Sequence, residues 1–252
     1  MARRKQIKGF AIKSAGIVLM AVLLWFWGNS ESNSKTISFR NKTFDVYSVE
    51  DIKSIHFYLN DSVGNKLNNF ESLKNYTSSQ GKELLLAMNG GMYTPNFEPQ
   101  GLYIENGSVL NNLNTASGYG NFYLLPNGVF GITRNNHGFV VKTEDFQNRL
   151  PNTRFATQSG PMLVFNDSIH PAFSEGSKNL HIRNGVGVTN SGKVVLVISN
   201  QRTNFYDFAL LFRDKLHCSN ALYLDGAISK MYNKATNRTE DGSFGVMIGI
   251  VK

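Results

Sequence analysis

The sequence is poor in the reactive groups that usually identify an enzyme. It contains one cysteine, Cys218, so no intrachain disulfide can form and no zinc site can be built from several cysteines. It also lacks the G-x-S-x-G, H-E-x-x-H and Walker sequences. The serine-hydrolase elbow, the zinc-protease helix and the phosphate-binding loop of nucleotide hydrolases therefore have no counterpart here.

Acidic residues are absent from residues 1–28, which carry five cationic side chains. Subtracting these five from the formal charge of +8 leaves +3 for the chain from Asn29 onward. The remaining basic residues are scattered among acidic ones, which is typical of a solvated surface rather than a nucleic-acid-binding face. We therefore expect no nucleic acid partner.

A long membrane-spanning run is missing as well. The uninterrupted apolar stretch 15–27 has about 13 residues, against the ~20 that cross a bilayer comfortably. A basic start followed by a short apolar run predicts a secretory signal peptide. Counted from Phe10, with Lys13 reaching the lipid interface, the same segment forms an uncleaved anchor instead. Both alternatives predict export to the periplasm or cell envelope, and the second adds attachment to the inner membrane.

Residues 29–35, "NSESNSK", are small and polar and predict a linker. The expected organisation is thus a leader at 1–28, a linker at 29–35 and one domain at 36–252. Short strand-like runs dominate this domain: "TISFR", "FDVYSV", "SIHFYLN", "ELLLAM", "GLYIE", "NFYLL", "GVFGIT", "GFVVK", "PMLVF", "VGVT", "VVLVIS", "ALYLD" and "FGVMIGI". Turn signals in "ENGS", "LPNGV", "FNDS" and "TNSGK" join several of them, which favours antiparallel pairing.

Two segments have the periodicity of amphipathic helices. One carries an apolar stripe before a stop at Gly81, and the other begins at an Asn204 or Thr203 cap with Asp207 in its first turn. Their apolar residues are Leu67, Phe70, Leu73 and Tyr76 in the first, and Phe205, Phe208, Ala209, Phe212 and Leu216 in the second. The pattern predicts an α+β fold: a mostly antiparallel, curved mixed sheet with a few packed helices in a single domain.

Polar side chains and glycines interrupt the apolar strands at four places. The first is "MNGGMYTPNFEPQGL", whose loop is longer than a plain hairpin needs and is predicted to hold a ligand. The others are "QSGPMLV", "HIRNGVGVT" and "ALYLDGAISKMY". Glycine permits unusual backbone angles and close approach to a ligand, although each break alone is also ordinary turn chemistry.

Three residues at these breaks are candidates for chemistry. Asp225 ends an apolar strand, where partial burial would raise its pKa for acid–base work; an Asx-turn role is the alternative. Arg183 offers a bidentate donor to phosphate or carboxylate, or else forms a surface salt bridge. His181 can transfer protons near neutral pH, but it belongs to no motif and fits a supporting or surface position equally.

In their order along the chain, the four breaks resemble the motifs of the phosphodiester glycosidase family, and most of all its bacterial, exported branch. The matching segments are "MNGGMYTPNFEPQGL", "QSGPMLV", "IRNGVGVT" and "LDGAISKMY". The sequence departs from the better-studied members at Met92 and Tyr93, where they favour phenylalanines, and at Ala227 and Ile228, where they favour glycines. The identity of the substrate is therefore not carried over.

The resemblance implies hydrolysis of a sugar-1-phosphodiester at the anomeric carbon. It assigns Arg183 and the amides of Gly90 and Gly91 to the phosphodiester anion, and Asp225 to base or nucleophilic work. Asn89, which we group with Asp225 and Arg183 as catalytic, is also expected to orient sugar hydroxyls. The remaining substrate-binding residues implied by the motifs are Tyr93, Gln158, Ser159, Gly160, Asn184, Gly226 and Ser229. His181, beside the third motif, is added to them as a substrate-binding candidate. Tyr93 with Phe97 could stack on a sugar ring or simply pack in the loop.

The expected partner is a sugar phosphodiester or glycopolymer, with membrane contact through the N-terminal segment if it is not cleaved. No cofactor is required by the sequence, but Asp225 with amide oxygens could bind a divalent cation. Two other functions fit the same cleft. One is a non-catalytic envelope module that binds glycan or protein, and the other is a hydrolase that breaks a P–O bond.

Overall fold

The first of three β-sheets carries most of the predicted site segments. In the computed structural model, which describes residues 33–225 and 228–252, every strand pairing in this sheet is antiparallel. With strands numbered in chain order, its spatial order is β1 (Ser34–Phe39), β2 (Lys42–Ser48), β13 (Val194–Ser199), β12 (Asn184–Thr189), β14 (Cys218–Tyr223), β10 (Met162–Phe165) and β11 (Ser168–Ile169).

The other two sheets have five antiparallel strands each. The second has the order β16 (Arg238–Thr239), β15 (Met231–Asn233), β4 (Leu84–Asn89), β17 (Met247–Val251) and β3 (Ile55–Tyr58). The third has the order β6 (Ser108–Asn111), β5 (Tyr103–Glu105), β9 (Thr153–Ser159), β7 (Gly128–Thr133) and β8 (Gly138–Lys142). The predicted α+β, mostly antiparallel class is confirmed, with three sheets in place of one.

One apolar core joins the three sheets. Its largest cluster of buried side chains includes Leu196 of the first sheet, Met88 and Ile248 of the second, and Phe130 and Phe155 of the third. A polar contact on the periphery also links two sheets, because Arg238 donates from Nη1 to the Asp45 carboxylate at 2.6 Å. Burial opposes ionisation of Asp45, but hydrogen bonds from Thr36, Asn200 and Arg238 outweigh it and hold its pKa below the usual value.

Both predicted helices form, but Leu67 of the first apolar stripe precedes its helix and Leu216 of the second follows a π turn. Helix α1 (Phe70–Ser79) is capped by Asn69 and by the carboxylate of Asp241, which accepts the first two amides of the helix at 2.8 and 3.1 Å. Helix α2 (Phe205–Leu210) is capped by Asn204 and continues as a π turn, Leu211–Lys215. It connects β13 to β14, and β12 lies between those two strands.

Three predicted boundaries change in the structure. The run "NFYLL" forms a 3₁₀ turn, Asn121–Tyr123, because its amides bond to carbonyl groups three residues earlier rather than to a neighbouring strand. Strand β1 begins at Ser34, so the last two residues of the predicted linker pair with β2. The "LPNG" turn precedes β7 without closing a hairpin, whereas "ENGS", "FNDS" and "TNSGK" join paired strands as predicted.

The described part of the chain, residues 33–225 and 228–252, contains no helix that is long and apolar enough to cross a membrane. The predicted leader at residues 1–28 and most of the predicted linker lie outside the described residues, as do Gly226 and Ala227. Whether the leader is a signal peptide or an anchor stays a prediction.

Candidate active site

The first polar break lies at the end of β4, where Asn89 is the last strand residue. The chain then leaves the second sheet and enters the third sheet at β5, so the long loop is a crossover between sheets rather than an enlarged hairpin. The amide of Gly90 donates to the carbonyl oxygen of Val246 at 2.8 Å. This amide is used within the fold, which contradicts its predicted role as a donor to a bound anion.

Gly91 lets the loop approach β9 more closely than any other residue would. A Cβ atom at this position would lie 2.3 Å from Thr157 Oγ1 and 2.4 Å from the carbonyl oxygen of Gln158. Both distances are far inside van der Waals contact, and one of the two atoms belongs to the backbone. The glycine pair is therefore explained by packing between the loop and the sheets, and ligand binding is not needed to account for it.

A pair of buried amides joins β4 to β12. The Nδ2 atom of Asn184 donates to both the backbone oxygen and the Oδ1 oxygen of Asn89, each at 2.9 Å. Asn89 Oδ1 also accepts from the backbone amide of Lys230 at 2.9 Å. Both side chains are nearly inaccessible, so the pair fixes two sheets against each other inside the protein.

The same two amides hold the backbone of Asp225. Asn89 Nδ2 donates to the Asp225 carbonyl oxygen, and the Asp225 amide donates to Asn184 Oδ1, both at 3.1 Å. The hydroxyl of Ser229 lies 2.9 Å from the Asp225 carbonyl oxygen and 3.1 Å from Asn184 Oδ1. The segment after β14 is thus held at both its amide and carbonyl groups, and the aspartate side chain is half-buried.

Ser159 brings the remaining break into the cluster. It is fully buried and its hydroxyl donates to the carbonyl oxygen of Leu224, the residue before Asp225. The amide of Leu224 in turn donates to the Asn184 carbonyl oxygen at 3.3 Å. One residue from each of the four breaks, far apart in sequence, therefore meets around Leu224 and Asp225.

Arg183 lies beside this cluster and is 1% exposed. Its guanidinium carbon is 3.6 Å from the ring centroid of Phe205 and 5.5 Å from that of Tyr223. Its Nε atom donates to the Thr203 carbonyl oxygen at 2.8 Å. Burial lowers the pKa of the guanidinium and Tyr223 partly offsets this effect, but an arginine remains charged at neutral pH.

Two aromatic side chains of the first loop, Tyr93 and Phe97, pack together. Tyr93 and Phe97 stack on each other with ring centroids 5.5 Å apart, and the Tyr93 hydroxyl donates to the Ser243 carbonyl oxygen at 2.6 Å. Burial raises the pKa of Tyr93 to about 12, and the negative charge of Asp225 adds to this rise. The negative charge of Asp225 therefore disfavours ionisation of the Tyr93 phenol.

Three predicted site residues occupy other roles. The Gln158 side chain bonds to the amides of Leu102 and Asn114, the Asn114 carbonyl and the Thr143 hydroxyl, at 2.7 to 3.2 Å, so its amide is engaged in holding loops. Gly160 packs against Asn127 and the turn at residues 121–122. His181 is exposed, and its backbone pairs with Thr203.

Sequence reasoning missed the immediate surroundings of Arg183. Phe205 was expected only as part of an apolar helix stripe, and Tyr223 only as a strand residue. Asn179 accepts from Arg183 Nη2 at 2.9 and 3.1 Å, through its carbonyl and Oδ1 oxygens. Nothing in an exposed loop asparagine signals this contact, whereas an arginine directly before a glycine-rich buried strand could have suggested an aromatic neighbour.

The sequence did not decide whether the protein has a metal site. Within residues 33–225 and 228–252, no three His, Cys, Asp or Glu side chains are grouped so that they could hold a metal ion. Asp225 is thus accompanied by amide and hydroxyl groups rather than by further carboxylates. The sequence requires no cofactor, and the option that Asp225 with amide oxygens binds a divalent cation stays a prediction.

Comparison with known proteins identifies the family. The family model for phosphodiester glycosidases matches residues 82–251, which include all four breaks. The uncharacterised protein YigE of Escherichia coli K12 is 40% identical over 193 residues, covering 76% of this chain and 75% of that protein. These two similarities span most of the described domain.

Solved structures share the fold at low sequence identity. The catalytic domain of zebrafish N-acetylglucosamine-1-phosphodiester alpha-N-acetylglucosaminidase, auto-inhibited by its pro-peptide, has a TM-score of 0.60 and 16% identity, covering 86% of this chain and 81% of that one. A candidate exported protein from Burkholderia pseudomallei K96243 has a TM-score of 0.52 and 12% identity, covering 83% and 74%. The fold agrees with the family match, and the chain belongs to the phosphodiester glycosidase family.

Proposed function

We propose that this protein is an exported hydrolase that cleaves the bond between the anomeric carbon and the phosphate oxygen of a sugar-1-phosphodiester. The observation that carries the proposal is the fixation of Asp225. Its amide and carbonyl groups are bonded to Asn184 and Asn89, beside a buried arginine that contacts the same strand end through Tyr223. Family membership supports a glycosidase-type activity.

Arg183 is the group that would hold the phosphodiester. Asp225 follows Tyr223 by two residues, and side chains two apart on an extended chain point to the same side. Tyr223 contacts the guanidinium, so this alternation supports a location of the carboxylate and the cation on one side of the first sheet. A planar guanidinium matches the two non-bridging oxygens of a phosphodiester better than an ammonium group would.

Asp225 supplies the reactive carboxylate in this proposal. As a base, it takes a proton from water while the water oxygen bonds to the anomeric carbon, and the electron pair of the breaking C–O bond leaves with the phosphate. As a nucleophile, it forms a glycosyl ester that water hydrolyses in a second step. The first route inverts the anomeric configuration and the second retains it. Because phosphate is already a good leaving group, neither route needs a second carboxylic acid.

The side-chain amides of Asn89 and Asn184 bond to other protein groups, and we propose that they support the site rather than contact the substrate. Asn184 uses its Nδ2 and Oδ1 atoms in bonds to Asn89, Asp225 and Ser229, so we assign it and Ser229 to positioning the aspartate. This replaces the expectation that Asn184 and Ser229 bind the substrate directly. The rigid scaffold around Asp225 is what a preorganised catalytic group requires.

The substrate is expected in the cell envelope or outside the cell. The basic and apolar N-terminal segment supports export, and a structural relative is described as a candidate exported protein. Among envelope components, glycoconjugates and glycopolymers contain sugar-1-phosphate bonds that fit the proposed reaction.

Turnover of defined substrates tests the proposal. The full-length wild-type protein and its Asp225→Asn variant are each assayed with two substrates, an aryl sugar-1-phosphodiester and a UDP-sugar. We expect turnover by the wild type and a decrease of about 10²–10⁴-fold in the variant, the range for loss of an acid–base group. Asp167→Asn is the matched control, because Asp167 is exposed in a turn with a φ of +60° that asparagine also adopts.

Two outcomes would contradict the proposal. Equal turnover in wild type and Asp225→Asn would end the assignment of Asp225. Binding of the substrate without turnover by the wild type would leave the non-catalytic binding module as the better description. Addition of EDTA to the wild-type assay tests for a divalent cation, and we expect activity to persist.

A further inference from the structure

An exposed loop covers Arg183, and it is defined here as the strap, residues 171–182 between β11 and β12. Most strap residues are exposed, and Phe173, Ser177 and Ile182 are half-buried. The strap contains neither a helix nor a strand of its own. It nevertheless supplies two of the oxygen atoms around a guanidinium that is almost inaccessible to solvent.

Contacts at three points attach the strap to the first sheet and to α2. The Phe173 ring stacks on the rings of both His170 and Phe205, with centroid distances of 4.7 and 4.8 Å. Glu175 forms an ion pair with Arg40. The backbone of His181 exchanges two hydrogen bonds with that of Thr203, at 3.2 and 2.8 Å. The strap is therefore fastened at both ends, and Asn179 lies between the fastenings.

Asn179 satisfies the Nη2 atom of Arg183 with uncharged oxygens. The backbone oxygen of Asn179 lies 2.9 Å from Nη2 and its Oδ1 oxygen lies 3.1 Å away. One residue thus presents two acceptors to one end of the guanidinium. A phosphodiester also presents two oxygens, but it carries a negative charge, and hydrogen bonds between charged partners are roughly twice as strong as neutral ones.

We propose that Asn179 is a placeholder for the substrate anion and that the strap is a selectivity element for phosphodiesters. The substrate phosphate would displace both Asn179 oxygens from Nη2, and the strap would move aside around its Asn179 segment. Since Arg183 is 1% exposed, no anion reaches Nη2 while Asn179 occupies it. A neutral glycoside gains no charge-assisted bond in this exchange, so it would not open the strap.

The inference rests on the proposed function for the identity of the anion, but it concerns an equilibrium that is measured without turnover. Dimethyl phosphate, a small phosphodiester, is titrated into the full-length protein by calorimetry. Asn179→Ala removes one of the two competing oxygens, and we expect it to bind dimethyl phosphate about tenfold more tightly than the wild type. Asn179→Asp places a carboxylate on the guanidinium, and we expect affinity at least tenfold weaker.

The exposed strap residue Ser174 provides the control, because Ser174→Ala leaves Asn179 unchanged and should bind like the wild type. Hydrogen exchange gives a second measurement on the unaltered chain: saturating dimethyl phosphate should speed exchange of the strap amides around residues 177–181. Unchanged or weaker binding by Asn179→Ala would overturn the inference, because Asn179 would then orient Arg183 rather than compete for it. Slower exchange in the strap would overturn it as well.

The two proposals fail separately in these measurements. If the affinities shift as expected while no sugar phosphodiester is hydrolysed, the placeholder stands and the hydrolase assignment falls. If turnover is observed and the Asn179 variants bind dimethyl phosphate like the wild type, the hydrolase assignment stands and the placeholder falls.

Discussion

Asn184 donates from one side-chain nitrogen to both oxygens of Asn89, across 95 residues of sequence, and each bond is 2.9 Å long. This contact joins the end of β4 in the second sheet to the start of β12 in the first sheet. The acceptor end of the same Asn184 amide holds Asp225 and Ser229. One buried amide therefore connects the architecture of the domain to the position of the proposed catalytic aspartate.

Replacement of Asn184 tests this connection. Asn184→Ala removes the side-chain acceptor of the Asp225 amide and both bonds to Asn89, and we expect the free energy of unfolding to fall by about 2–3 kcal/mol. Urea denaturation measures the change, and Asn148→Ala at an exposed position should stay within about 0.5 kcal/mol of the wild type. A loss as small as that of the control would show that the amide pair does not hold the site.

Arg183→Lys tests the anion-holding role of the guanidinium. Lysine keeps the charge but loses the planar fork and the stacking on Phe205. We expect kcat/KM for a sugar phosphodiester to fall about 10–100-fold, which corresponds to one charge-assisted hydrogen bond of ~1.5–3 kcal/mol. Steady-state kinetics give the ratio, and the exposed neighbour Arg202→Lys is the control. Equal effects of the two substitutions would argue against a specific role for Arg183.

One buried histidine, His170, and one half-buried histidine, His56, predict that stability falls in mild acid. Burial lowers the pKa of His170 and of His56 below the usual 6.5, so between their folded pKa values and 6.5 the unfolded chain binds more protons than the folded chain. The free energy of unfolding should therefore decrease as the pH drops below about 6.5, and should be unaffected by these groups above it. Urea titrations from roughly pH 8 to pH 5 measure this slope.

Substitution of His170 separates its contribution to the pH dependence of the unfolding free energy from that of His56. His170 Nε2 lies 3.0 Å from the Leu125 carbonyl oxygen, and a glutamine amide can make the same bond without titrating. His170→Gln should therefore flatten the dependence on pH, and His137→Gln, at an exposed position, is the matched control substitution. An identical slope in wild type and His170→Gln would show that this histidine does not contribute.

Local features of the fold were predictable because they depend on neighbouring residues. The turns at "ENGS" and "FNDS" follow from Asn and Gly or Asp in the left-handed region, where Asn106, Gly107, Asn166 and Asp167 are found. Helix α2 and its Asn204 cap follow from a spacing of three and four residues. In contrast, the "NFYLL" run has the composition of a strand, and only its neighbours make it a turn.

The sequence predicted which residues lie at the site better than it predicted what each side chain does there. The motifs indicated that Asn89, Ser159, Asn184 and Asp225 belong together, and their contacts do bring them together. The direction of each side chain depends on pairing between distant strands, which no local pattern specifies. For this reason the Gly90 amide and the Gln158 side chain were expected at a ligand and instead bond within the fold, and Asn179 was not expected at all.

The most direct test of the account follows the oxygen of water into the products. The wild-type protein hydrolyses an aryl sugar-1-phosphodiester in water enriched in oxygen-18, and mass spectrometry measures the label in the sugar and in the phosphate. Attack at the anomeric carbon, assisted by Asp225, predicts one labelled oxygen in the sugar and none in the phosphate product. Label in the phosphate would mean that a P–O bond is broken, and it would contradict the proposed reaction.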